Sequence, residues 1–281
     1  MCAGALALIA WRAGALTRDG ALAAFVVGTL TYASGTIGFA LLLLAFFLPS
    51  VALSRLGRAR KRALVDIGKI GPRDARQVLA NGGVATVCAL GFAFTHDVRW
   101  AVAFGGAYAV ATADTWATEV GTLARGVPRS ILTGHPVAPG MSGGITLMGT
   151  LAEVAGALWI GLVTPVAILL AFVASDLGFS MHGSGPNVVT VGMAEFVVVP
   201  LAGIAGATVD SLLGASIQEL RRCDACDRAC ETDPHTCGNP TRLVRGVRGI
   251  SNDVVNLLAT ATGAALTPAI AALLGVAIQS R

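Results

Sequence analysis

Apolar residues dominate long stretches of this chain, broken by short polar and glycine-rich intervals. Runs can be drawn at about residues 20–34, 37–54, 82–96, 99–117, 142–162, 164–179, 187–200, 201–219 and 253–277. Several fall short of the ~20 residues a membrane-crossing helix needs, a pattern that helices broken around cavities produce. The segment Met1–Ala10 lacks the basic n-region of a cleavable signal and reads as a short first span. The pattern predicts an all-α fold, a polytopic transmembrane helix bundle of about 7–9 membrane segments. One integral membrane domain over 1–281 is expected, with a small Cys/His loop at 220–252 before the last span.

Charge settles the orientation that the apolar runs leave open. The run 187–219 fits either one helix kinked at Pro200 or two short segments. Read as two, alternate crossing puts 12–19, 55–81, 118–141, 180–186 and 220–252 on one side, and 18 of the 20 Lys and Arg with them. Basic loops stay in the cytoplasm, so that side is expected to be cytoplasmic. Composition agrees with lipid as solvent: 54% of the 281 residues are hydrophobic and only 13% charged, about half the charged share of a soluble domain. Nothing in it points to a nucleic-acid partner.

The acids of the apolar runs gather toward the basic side. Asp114, Thr115 and Glu119 end the run 99–117. Asp210, Ser211 and Gln218 lie together at helical spacing, and Asn252, Asp253 and Asn256 open the last span. Ionisable groups in spans are costly and face a bundle interior or a wet cavity. Several at one depth repel one another unless a cation joins them, so Asp114, Glu119, Asp210 and Asp253 are the expected Mg²⁺ ligands. Arg73, Gln77 and Asn81 recur every four residues on a helix entering the membrane, with Lys61 and Lys69 just before it. Such a stripe suits phosphate, since Arg donates to it in bidentate fashion. The turn Pro139-Gly-Met-Ser-Gly-Gly-Ile-Thr is expected to open a helix, with Ser142 as its cap and Gly143 in a loop whose N–H groups attract anions.

Four cysteines, Cys223, Cys226, Cys230 and Cys237, share one polar loop with His235. On the cytoplasmic side a disulfide is disfavoured, and the spacing suggests a structural Zn²⁺ held by Cys223, Cys226, His235 and Cys237, with Cys230 as the substitute. Glu153 and Glu195 lie nearer mid-span, where an ion-coupled transporter would want protonatable acids.

At these residues the chain resembles the integral membrane family that includes the plant phytyl-phosphate kinase of vitamin E synthesis. The matching segments are Arg12-Ala-Gly-Ala-Leu-Thr-Arg-Asp-Gly20, the Lys61–Gly83 region, Ala113-Asp-Thr-Trp-Ala-Thr-Glu-Val-Gly121, Pro139-Gly-Met-Ser-Gly-Gly-Ile, Asp210-Ser-Leu-Leu-Gly-Ala-Ser-Ile-Gln218 and Asn252-Asp-Val-Val-Asn256. They cover nearly the whole chain; the abbreviated first span, Met141 and Cys230 depart from the pattern. The resemblance implies phosphoryl transfer from a nucleoside triphosphate, CTP in preference, to an isoprenoid monophosphate such as phytyl or geranylgeranyl phosphate. Asp114, Asp210, Asp253, Arg73 and Asn81 would then be catalytic. Lys61, Lys69, Gln77, Thr115, Ser142, Gly143, Ser211, Gln218, Asn252 and Asn256 would bind substrate and nucleotide. A membrane nucleotidyltransferase acting on a lipid phosphate and a transporter are the competing readings, and a prokaryotic plasma membrane is the expected location.

Overall fold

The structure, a computed structural model, describes residues 2–64, 71–176 and 188–275. Lys69, His182 and Arg281 lie outside the described residues. Eight helices make up most of the described residues: α1 Cys2–Arg12, α2 Arg18–Arg55, α3 Arg58–Leu64, α4 Ala75–Thr95, α5 Val98–Gly121, α6 Leu147–Asp176, α7 Val188–Ser216 and α8 Asn252–Leu273. Two small antiparallel sheets stand between them. One pairs β1 Arg129–Ser130 with β2 Gly144–Ile145. The other has the order β4-β3-β5, from Leu220–Cys223 (β3), Arg228–Cys230 (β4) and Arg242–Arg245 (β5).

Short polar side chains fix where the helices begin. Thr17 caps α2, its hydroxyl accepting from Gly20 N at 3.1 Å. Asp74 and Gln77 form a reciprocal capping box at α4: Asp74 Oδ1 accepts from Gln77 N at 3.0 Å, and Gln77 Oε1 from Asp74 N at 3.2 Å. Each satisfies backbone donors that a helix start leaves bare. A left-handed His96 closes α4, and Asp97 caps α5 one residue later.

Helix α2 is one run of helical residues but is not straight. Its 38 residues would stretch about 57 Å as a rod. Yet the Arg55 guanidinium donates to Ala13 O at 2.9 Å, and Thr17, just before the helix, donates its N–H to Arg73 O. Both ends therefore lie at one face. Val27 meets Gly82 beside the Tyr108 hydroxyl, and Phe46 packs tilted against the Tyr108 ring at 5.5 Å, so the helix doubles back between Val27 and Phe46. The two arms correspond to the predicted runs 20–34 and 37–54.

The expected breaks at 162–164 and at 200 do not occur. Helix α6 runs through Pro165 and α7 through Pro200. The run 187–219 is thus one helix from Val188 to Ser216, and the end of α6 and the start of α7 lie on the face opposite the basic loops, while 180–186 falls outside the described residues. The reading of 187–219 as two spans and of 142–179 as two spans err by one crossing each, and the errors cancel. Residues 177–187 contain no Lys or Arg, so the sorting of basic residues is unchanged.

Five segments are long and apolar enough to cross a membrane among the described residues: Ile37–Arg55, Ala75–Thr95, Leu147–Leu170, Glu195–Ser216 and Asn252–Leu273. The first arm of α2 and helix α5 complete seven passes. Helix α5 is the axis of the bundle, packed against α2, α4, α6, α7 and α8, with every residue from Ala101 to Ala113 buried. Small residues let its neighbours come this close. At Gly106 a Cβ would overlap Thr267 Oγ1 of α8. Away from the basic face the core is aromatic: Phe39 stacks on Phe104 at 4.3 Å, and Phe104 meets Tyr108 edge-on at 5.0 Å.

Candidate active site

The ends of α2, α4, α5, α6, α7 and α8 that meet at the basic face enclose a cavity of about 350 Å³, within the range of small-molecule sites. Six carboxylates line it: Asp114 and Glu119 from α5, Glu153 from α6, Asp210 from α7, Asp253 from α8, and Glu231 from the cysteine loop. Four bases join them: Arg55, Arg58, Lys61 and Arg73. Gln77, Asn81, Thr115, Ser142, Gly143, Ser211, Asn252 and Asn256 also face it. Gln218 stands behind this wall, 1% exposed, and touches it through Ser142.

Charge is sorted within the cavity. Arg73 is held by its backbone, which accepts from Thr17 N and donates to Ala15 O, both at 3.0 Å. Its guanidinium lies over the Phe46 ring at 5.7 Å and in the field of Asp114 and Glu119. Burial pulls the guanidinium below its usual range, and the two carboxylates oppose that pull. Lys61 Nζ binds Glu119 Oε2 at 2.5 Å and Leu53 O at 2.8 Å. Glu119 is therefore an ion-pair partner in this structure. Lys61, expected to meet substrate, is likewise engaged.

Asp210 feels the charges of Asp114, Glu231 and Glu153. Its Oδ2, and Oδ1 of Asn256, are buried without a protein partner. Buried acceptors of this sort are normally satisfied, and a cation or a donor-bearing ligand would satisfy them. The cavity acids do not form a tight cage; among the described residues the His, Cys, Asp and Glu side chains grouped closely enough to hold an ion unaided are Cys223, Cys226, His235 and Cys237. A divalent ion in the cavity would thus take one or two carboxylates and complete its shell with phosphate and water oxygens, as Mg²⁺ commonly does.

The glycine-rich turn departs from expectation. Helix α6 begins at Leu147, not near 142, because Gly140 and Gly143 adopt left-handed φ values of 82° and 76° that no helix start accommodates. Ser142 is consequently not a helix cap. Its N–H donates to Glu231 Oε1 at 3.1 Å, and its hydroxyl accepts from Gln218 Nε2 at 2.7 Å. Gly143 presses on α7 so closely that a Cβ would overlap Ala215.

Sequence reasoning missed Glu231 and gave Glu153 a different role. Glu231 follows Cys230 in a loop already rich in acids, where nothing in composition separates it from its neighbours. Its signal is position: it is tethered among the residues expected to bind zinc. Burial raises its carboxyl above the usual range, opposed by hydrogen bonds from Ser142 and Gln218. Glu153 looked mid-span because α6 was expected to begin at 142 instead of Leu147. Glu195 lies outside the cavity, about 22 Å along α7 from Asp210.

In the cysteine loop, His235 Nδ1 lies 3.1 Å from Cys237 Sγ, and Cys223 Sγ lies 3.6 Å from it. The hydrogen bond from His235 brings Cys237 down to about 5, while crowding by Cys237 and Cys223 pushes Cys226 up to about 11. Cys230 stands apart, its thiol directed to Thr232 O.

Comparison with known proteins gives this arrangement a family. The chain is 31% identical over 273 residues to Protein PGR of Arabidopsis thaliana, covering 90% of this chain and 88% of that one. It is 32% identical over 211 residues to an uncharacterized membrane protein of Methanocaldococcus jannaschii, covering 75% and 78%. It is 30% identical over 189 residues to Protein VTE6, chloroplastic, of Arabidopsis thaliana, covering 60% and 56%. No solved structure matches it. The model of the family described as integral membrane protein DUF92 matches residues 1–264, and the chain belongs to that family of integral membrane proteins.

Proposed function

We propose that this protein is a membrane prenyl-phosphate kinase, moving the γ-phosphoryl group of a nucleoside triphosphate, CTP in preference, onto an isoprenoid monophosphate. An oxygen of the acceptor phosphate attacks the γ-phosphorus, the bond to the β–γ bridging oxygen breaks, and the nucleoside diphosphate leaves with that electron pair. The products are a prenyl diphosphate and a nucleoside diphosphate. The observation that carries the reading is the convergence of Asp114, Asp210 and Asp253, from three separate helices, with Arg73 on one cavity at the basic face.

A phosphate monoester is ionised near neutral pH, so the acceptor needs no strong general base. The cavity accordingly needs to position and neutralise. Arg73 offers a planar fork to phosphate oxygens, pre-set by its backbone contacts to Ala15 and Thr17. Asn81 and Asn256 orient groups at the cavity wall, and the N–H groups of the Ser142–Gly143 turn are suited to a second phosphate. Mg²⁺, held by Asp210 with Asp114 and Asp253, would supply charge neutralisation between the phosphates. The isoprenoid tail would run from the cavity along the apolar helices. The basic face is cytoplasmic in this reading, and the membrane a prokaryotic plasma membrane.

The test is incubation of the purified protein with CTP labelled in its γ-phosphate, Mg²⁺ and geranylgeranyl phosphate. Label in lipid diphosphate supports the reading. Cytidylyl lipid with release of pyrophosphate would instead make the protein a nucleotidyltransferase. Glu153 lines the cavity and Glu195 does not, which favours the kinase reading over the transporter alternative. Uptake into vesicles without lipid modification would restore it.

A further inference from the structure

The cysteine loop is too small to hold its own shape. Strands β3, β4 and β5 are four, three and four residues long, and sheets of this size lack a core of their own and normally need a staple. The ligand atoms of Cys223, Cys226, His235 and Cys237 all lie within 4.8 Å of one another. A tetrahedral ion with Zn–S bonds of 2.3 Å separates two sulfurs by about 3.8 Å, and Cys223 and Cys237 stand 3.6 Å apart. Each pair ends the same way. Cys226 is followed by Asp227 (φ 54°) and Cys237 by Gly238 (φ 85°), left-handed turns that fold the chain around the sulfur. Asn239 Nδ2 donates to Cys237 Sγ at 3.3 Å, a contact that orients a ligand.

Between the two pairs the chain makes its one excursion into the cavity. Glu231 lies between Cys226 and His235, and its carboxylate reaches Ser142 N at 3.1 Å and Gln218 Nε2 at 2.8 Å. Gln218 in turn donates to Ser142 Oγ. These contacts tie three separate parts together: the cysteine loop, the glycine-rich turn and the end of α7.

We propose that a zinc ion held by Cys223, Cys226, His235 and Cys237 braces the cavity from outside, fixing the loop from which Glu231 holds the Ser142–Gly143 turn in place. Glu231 is then a positioning residue, and the metal takes no part in chemistry. The inference stands whether or not the cavity transfers phosphoryl groups, because its readouts need no turnover.

Elemental analysis of protein purified without chelator should give one zinc per chain, lost in Cys226→Ser and His235→Ala and kept in Cys230→Ser. No zinc even after incubation with Zn²⁺, or undiminished zinc in both ligand variants, overturns the site. The brace is read by hydrogen exchange at Ser142. Stripping zinc from the wild type with a chelator should speed that amide about tenfold, as losing one hydrogen bond to a charged group would, and adding zinc back should restore it. Glu231→Gln should keep zinc and show the same fast exchange with no response to the metal. Exchange at Ser142 unmoved by stripping refutes the brace, and so does a Glu231→Gln protein that stays protected.

Discussion

The Lys61–Glu119 pair joins α3 to the cavity end of α5, and its worth can be worked out. Lys61 is 7% exposed, and its ammonium has two partners, Glu119 Oε2 and Leu53 O. Removing one member of a fully buried ion pair costs about 3–5 kcal/mol, because the other charge is left without water or counter-ion. The Glu119 side chain retains 21% exposure at the cavity wall, so water screens part of this, and we expect about 2 kcal/mol for Glu119→Gln. Lys61→Met strands a carboxylate that faces a wet cavity, and should cost only about 1 kcal/mol. In the double variant neither charge is stranded, so its loss should fall short of the sum by about 1–2 kcal/mol. Unfolding of the four proteins in mixed micelles, followed by tryptophan fluorescence, measures this. Independent sites add within about 0.5 kcal/mol, so a coupling below that value would refute the pairing. Lys61 would then be free to meet phosphate, as its place in the sequence first implied.

Asp114→Asn, Asp210→Asn and Asp253→Asn should each cut turnover by about 10²–10³-fold, the loss that follows removal of one preorganised electrostatic group, without altering elution from a sizing column; full turnover in all three removes the cavity from the chemistry. Gly143→Ala should destabilise by about 1–3 kcal/mol through overlap with Ala215, and further through its left-handed φ, seen as a lowered unfolding midpoint. Gly106→Ala should cost a similar amount, about 1–3 kcal/mol, by forcing α8 off α5 at Thr267; an unchanged midpoint would contradict the packing. Single cysteines at His96 and Arg125 of a cysteine-depleted protein should react with impermeant maleimide from opposite sides of sealed vesicles. Labelling from the same side would break the topology.

The site was more legible than the helices that build it. Asp114, Asp210 and Asp253 stand out because an ionised group in an apolar run is expensive, and that cost holds whatever the span count. The basic loops marked one face for the same reason. Helix ends were harder. Proline at 165 and 200 removes one hydrogen bond without ending a helix that packed neighbours hold along one side, so a break read from proline and length alone fails inside a bundle. The turn at Ser142 was misread because a left-handed glycine is invisible in composition. Glu231 was hidden by long-range geometry: 89 residues separate it from Ser142, and no local pattern encodes that contact. Conversely, the choice of Cys223, Cys226, His235 and Cys237 over Cys230 matches the grouping in space, since closely spaced residues are brought together by a single turn.

Helix α2 leaves the basic face and returns to it, and α4 with α5, and α6 with α7, do the same in pairs. For the proposed reaction, water-soluble reactants would therefore be loaded and discharged from a single compartment, while the lipid would arrive sideways through the leaflet. On the proposed kinase reading nothing is spent on translocation: the product would stay in the half of the bilayer that supplied the starting lipid, headgroup toward the side that delivers the nucleotide.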